Sequence, residues 1–241
     1  MPTFIHFIPI LTTVIALTLA ISLARRYRDR GGAHLMWWAI GALTYAAGTA
    51  VEAAVTIFGW HAPLFRAWYI TGALLGGAPL AQGAVYLHLP RRVANALSVA
   101  LVLTVTIAAV FVLVVPLKYE LVEAHRLTGR VMAWPWVRAF SPFINLYAFI
   151  FLVGGAAKSA VQFWRQKETR ARAEGNALIA LGALLPGIGG SFTRFGYTEV
   201  LYVTEFLGII LIFLGYRRAT LTARVRGASV SAPAIEAPVL R

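Results

Sequence analysis

The chain has 241 residues, of which 59% are hydrophobic and only 13% charged, far short of the roughly 25% that clothe a soluble domain. Its formal net charge is +13, but most Lys and Arg stand at the ends of apolar runs; that pattern encodes membrane topology and argues against a nucleic-acid partner. There is no cysteine, which excludes disulfides, thiolate metal sites and cysteine catalysis.

Seven apolar runs approach or exceed the roughly 20 residues a bilayer requires: 3–24, 35–60, 67–89, 96–117, 139–164, 177–196 and 200–217. The fold class they predict is all-α, a polytopic membrane protein with seven transmembrane helices. The first run lacks a basic residue before it, and "RRYRDR" follows it instead. It therefore reads as a retained helix and not as a signal peptide.

Orientation follows from the loops. Arg25, Arg26, Arg28 and Arg30 follow the first run, Arg91 and Arg92 the third, and Arg165, Lys167, Arg170 and Arg172 the fifth. Arg217, Arg218, Arg224 and Arg226 follow the seventh. The opposite side has only Arg66, Lys118, Arg126, Arg130 and Arg138. The positive-inside rule then predicts an outside N-terminus and a cytoplasmic C-terminus in the cytoplasmic (inner) membrane, with anionic headgroups around the basic clusters. Trp60, Trp68, Trp134, Trp136 and Tyr119 fall at the outer boundary, as an aromatic belt does.

The longest outer loop, 118–138, mixes charges with aromatics. Two forms are open to it, a short interfacial helix or a cap on the outer face. Residues 1–218 make one transmembrane domain. Residues 219–241 are expected to form a basic cytoplasmic tail, disordered past Arg226.

Two runs carry helix breakers. "GALL" at 72–75 precedes "GGAPLAQG", and "GALL" at 182–185 precedes "PGIGG". Pro186, Gly187, Gly189 and Gly190 are expected to bend or unwind the sixth helix and to serve as a hinge. The paired motif also suits an inverted repeat with the fourth run as linker.

Ionisable groups inside a bilayer are costly and mark function by default. Here they are Glu52, Lys158, Arg194 and Glu205. Lys158 lies near the inner end of its run, where it can snorkel to the headgroups. Arg194 and Glu205 flank the turn near Thr198–Glu199, about 7–10 Å inside the boundary at 1.5 Å per residue. A salt bridge across that hairpin is expected. Glu52 lies about 12 Å deep from the same side, and Tyr45, Thr49 and Glu52 share one helical face. With Tyr69 and Asn145 they predict a polar pocket that opens outward. Glu52 has three options: pairing with Arg194, competing with Glu205 for it, or remaining neutral.

Other chemistries lack their residues. The last run has no Schiff-base lysine, and the histidines, at 6, 34, 61, 88 and 125, are scattered. No catalytic constellation, metal site or cofactor is predicted.

The stretch "LMWWAIGALTYAAGTAVEAAVTIFGW", followed by "FRAWYITGALLGGAPLAQGAVYLHLPRR", resembles the seven-helix N-terminal sensory region of bacterial histidine kinases and diguanylate cyclases. The shared pattern is an aromatic-and-small second helix with a mid-to-outer glutamate, a short outer turn, and a third helix that opens on Trp-Tyr and holds a mid-helix proline. Glu52 takes the glutamate position. No kinase or cyclase domain follows the seventh run, which departs from the family pattern. The resemblance implies a sensor-like, ligand-binding module that signals through a membrane or cytoplasmic partner. Its ligand would be a small or lipophilic molecule entering from the outer side. A small proton-coupled secondary transporter and an accessory subunit of a membrane complex are the alternatives.

Overall fold

The computed structural model describes residues 4–230 except 125 and 166; the side chains of residues 168, 194 and 221–230 are also outside the described set. Seven helical stretches are long and apolar enough to cross a membrane. The chain is an all-helical, multi-pass membrane protein, and among the described residues the only β-structure is a pair of isolated bridges.

A 3-10 turn, Phe4–Phe7, leads into α1 (Ile8–Arg30), and α2 spans Ala33–Phe58. Gly31 and Gly32 reverse the chain between them with φ of 66° and 100°, a region open to glycine and costly for other residues. The third span is built from α3 (Ala62–Trp68), a π-helical turn (Tyr69–Leu74) and α4 (Ala78–His88). Next comes α5 (Arg91–Val114). The fifth span joins α6 (Phe140–Ala148) to α7 (Gly154–Trp164) through a second π-turn, Phe149–Val153. The last two helices are α8 (Arg170–Phe192) and α9 (Thr198–Val230). α9 stays helical past residue 219, where the sequence suggests that the tail begins; residues 231–241 lie outside the described residues.

The helix break falls in a different span from the one expected. α8 runs unbroken through Pro186 and its glycines. Proline's missing N–H and its ring ordinarily kink a helix. Here Pro186 lies against Gly208 of α9, and the Gly182 carbonyl, the one that Pro186 cannot serve, also lies against Gly208. A Cβ at Gly182 would come within 2.6 Å of the Gly208 oxygen, and one at Gly208 within 2.7 Å of the Gly182 oxygen. Gly175 and Gly215 repeat this approach seven residues away on each helix. These glycines let the α8 and α9 backbones touch, the small-residue packing that membrane helices use in place of a hydrophobic drive.

The third span is the one that breaks, at Leu75–Gly77. Its stranded carbonyls are served by neighbouring side chains. Thr44 of α2 donates to the Leu75 oxygen at 3.2 Å, while Ser141 and Asn145 of α6 donate to the Ala73 oxygen at 3.0 and 3.4 Å. Non-helical backbone at membrane depth requires such partners.

The 118–138 loop takes the second of its two forms and caps the bundle. Its backbone is tied by Lys118 N–H to Val131 O (2.8 Å) and Ala133 N–H to Pro116 O (2.9 Å). Leu127, Val131, Met132 and Val137 are buried with Val55, Phe65 and Tyr69 in one apolar cluster. Arg66 closes the nearby end of α5 by donating to the Val112 and Val115 carbonyls. We call this capped end, which holds Trp60, Tyr119, Trp134 and Trp136, the aromatic end. The opposite end, with the arginine-rich connections, is the basic end. α5 shows Val99, Leu103, Ile107 and Val110 outward, the kind of face a bilayer covers.

Candidate functional site

Near the aromatic end, α2 and α9 bring two carboxyl groups together. Glu52 lies six residues before the end of α2 and Glu205 seven residues after the start of α9, so each is about 9–10 Å from the helix end. Glu52 is 2% exposed. Its Oε1 accepts a hydrogen bond from the Trp68 indole N–H at 2.9 Å. The Glu205 side chain lies close enough to share a hydrogen bond with Glu52. Oε2 of Glu52 and Oε2 of Glu205 are both buried, and no N–H or hydroxyl among the described residues donates to either. Two carboxyl groups bond to each other only when one carries a proton, because a carboxylate oxygen can only accept. Without that proton, two like charges would face each other in a medium that screens them poorly.

The walls come from four elements. The Tyr45 hydroxyl donates to the Glu205 backbone carbonyl at 3.0 Å, which fastens α2 to α9 through main chain as well as side chain. Thr49 meets Thr13 of α1, oxygen to oxygen, at 2.9 Å. Tyr202, one helical turn before Glu205, is 1% exposed and lies beside both carboxyls. The N-terminal 3-10 turn closes the top. The Thr56 hydroxyl donates to the His6 carbonyl at 3.0 Å. The His6 ring meets Tyr202 edge-on at 6.0 Å, and its Nε2 is 3.9 Å from the Glu199 carboxylate. Glu199 is 46% exposed, so titratable or hydroxylated groups run from the surface down to the acid pair.

No protein-family model, curated protein or solved structure matches this chain. Its site is therefore judged on geometry alone.

The predicted site residues divide into two groups. Glu52, Glu205, Tyr45 and Thr49 assemble as one cluster. Tyr69 and Asn145 do not join it. Tyr69 follows Trp68 on the helix, and the next residue along points elsewhere: Tyr69 is buried in the apolar cluster beneath the cap, and its ring is 3.1 Å from the position of a Cβ on Gly129. Asn145 serves the break in the third span, bonding the Ala73 carbonyl and the Ser141 hydroxyl (3.1 Å). The Arg194 side chain lies outside the described residues; the partner that Glu205 shows is Glu52. The hinge residues lie in unbroken helix, with Gly189 packed on Leu201 and Thr204 and open space beside Gly187 and Gly190.

Trp68, Tyr202, Thr13 and His6 were missed. Trp68 resembles a belt residue by position, yet its indole serves a buried acid. Tyr202 was legible in principle, because it stands i, i+3 from Glu205 on the same face. A second polar cluster surrounds Gln82, which is fully buried in α4. Its Nε2 donates to Ala94 O (3.0 Å) and Ser98 Oγ (2.7 Å), and its Oε1 accepts from the Tyr147 hydroxyl. Every polar atom of that amide is satisfied, which marks a structural tie between α4, α5 and α6.

Proposed function

We propose that the chain is a sensor-like seven-helix module in which occupancy of the Glu52–Glu205 site sets the position of α9 against α2. The observation that carries this reading is the buried carboxyl pair, with one oxygen on each side chain lacking a donor among the described residues. A site built from acceptors takes a donor: a proton, or the ammonium end of a small lipophilic amine that displaces it. Access from the outer side runs past Glu199, His6 and Tyr202. Loss of the occupant leaves two like charges facing each other, and the simplest relief is separation of α9 from α2. α9 is one continuous helix from Glu205 to the basic end, so displacement at the site reaches residue 217 about 18 Å away. A partner at that end would receive the signal, because bistable packed elements carry such shifts.

The chain has no cysteine, so a pair of introduced cysteines reports this movement cleanly. Spin labels at Arg30→Cys and Arg217→Cys, in liposomes, should show a distance change between pH 5 and pH 8. That change should vanish in Glu52→Gln. Identical distances at both pH values would sink the reading.

One observation favours a second reading, a proton-coupled transporter. The acid pair and a cavity near the basic end lie along the same α1–α2–α9 seam, with packed Ala16, Ala42 and Ile209 between them. Transport requires that this plug open. Proton flux into proteoliposomes, lost in Glu52→Gln, would select the transporter; label movement without flux selects the sensor.

A further inference from the structure

We infer that the basic half of the bundle holds a second ligand site, independent of the acid pair, for a small neutral amphiphile that carries a hydroxyl group. Six of the seven spans meet around a partly open cavity of about 90 Å³. That is room for about three waters, and less than the roughly 150 Å³ that accepts benzene. The occupant is therefore no larger than an alcohol of one or two carbons.

The cavity is polarised along its length. Its deep end is apolar, lined by Leu19, Leu80, Leu152 and Ile212. The Trp38 indole forms one wall, locked in place by donation to the Leu80 carbonyl at 3.1 Å. The end near the basic connections holds His88, Ser159, Asn176 and Tyr216. All four are polar without a fixed charge, which favours a neutral head group over a carboxylate or an amine.

Hydrogen-bond direction selects the head group further. His88 Nδ1 is 2.8 Å from the Ala84 carbonyl. A carbonyl only accepts, so Nδ1 carries the hydrogen and Nε2 of the neutral ring accepts. Its partner, 3.0 Å away, is the Ser159 hydroxyl, whose proton is thereby committed. Ser159 Oγ retains lone pairs and accepts a donor. Asn176 Nδ2 is held by the Arg172 carbonyl at 2.8 Å, which fixes the amide at the same level. A short alcohol fits this arrangement: its hydroxyl donates to Ser159 Oγ and its chain fills the leucine-lined end. A plain hydrocarbon would leave the polar rim unused, and an ion would enter an uncharged, desolvating site at a penalty.

The test uses the purified 241-residue chain in detergent micelles and 2-fluoroethanol as the probe, followed by 19F NMR. The wild type should give a shifted, saturable resonance. Ser159→Ala should weaken binding by roughly threefold to tenfold, the worth of one neutral hydrogen bond. Ala84→Leu places a branched side chain in the cavity and should abolish the shifted resonance. If Ala84→Leu fails to fold, 19F–1H NOEs in the wild type decide: contacts to the methyl groups of Leu80, Leu152 and Ile212 support the site, and their absence overturns it. No saturable resonance in the wild type, or one that survives in folded Ala84→Leu, also overturns it.

Discussion

The acid pair makes a sharp demand on substitutions at Glu52. Replacing it with alanine removes the acceptor of the Trp68 indole N–H and the carboxyl group beside Glu205. Two polar groups are then left buried without partners, at about 1–3 kcal/mol each. The sum is about 2–6 kcal/mol, before any term for the cavity. Transferred from soluble chains of this length, that corresponds to a melting shift of roughly 5–20 °C. Glutamine behaves differently. Its carbonyl oxygen keeps the Trp68 bond, and its amide N–H supplies Glu205 with the donor that the native pair obtains from a shared proton. Glu52→Gln should therefore melt within a few degrees of the wild type, and should lose the difference in melting between pH 5 and pH 8 that the shared proton creates. The native pair needs that proton, so wild-type stability should fall as pH rises. Thermal unfolding in detergent, followed by intrinsic tryptophan fluorescence at the two pH values, measures both effects. If glutamine proves as harmful as alanine, or if the wild type melts identically at both pH values, the shared-proton geometry is wrong.

The glycines of α8 and α9 divide into two groups. Gly182→Ala and Gly208→Ala each push a methyl group into facing backbone and should cost about 1–3 kcal/mol by overpacking; Gly187→Ala and Gly190→Ala meet open space and should be neutral, or stabilise by up to about 1 kcal/mol, in the same melting assay. Thr44→Val strips the donor from the Leu75 carbonyl at the break in the third span and should cost about 1–3 kcal/mol, with faster amide hydrogen exchange confined to residues 75–78. Trp68→Phe removes the donor to Glu52 while keeping a large ring, and should destabilise by about 1–3 kcal/mol in wild type but by less in a Glu52→Ala background, which a double-mutant cycle measures.

The number of spans and their approximate limits were legible because they depend on length and transfer free energy alone. The position of Glu52 and Glu205 inside apolar helices was legible for a similar reason, since an ionisable residue in an apolar run stands out against any background. Their partners were not. Depth counting sets Arg194 and Glu205 level on one hairpin, and the Arg194 side chain lies outside the described residues. The rotation of α9 turns Glu205 toward α2, where Glu52, Tyr45 and Thr49 already share a face. Asn145 was placed at the right depth and assigned the wrong task, because the stranded carbonyl it serves exists only once the third span breaks.

The sequence by itself thus determined a seven-helix membrane chain with two acids in its apolar runs, for these follow from composition and one-dimensional periodicity. The tertiary structure alone decided which helix breaks. Both the "GGAP" and the "LLPGIGG" stretches weaken a helix locally, and intrinsic propensity does not rank them. In α8 the small residues are used by α9, whose own glycines let the backbones close and hold the helix straight through Pro186. In the third span the neighbours instead offer Thr44, Ser141 and Asn145, donors that make an open backbone affordable at membrane depth. A breaker breaks a membrane helix where side chains from other helices can satisfy the carbonyls it strands, and that pairing is written only in three dimensions.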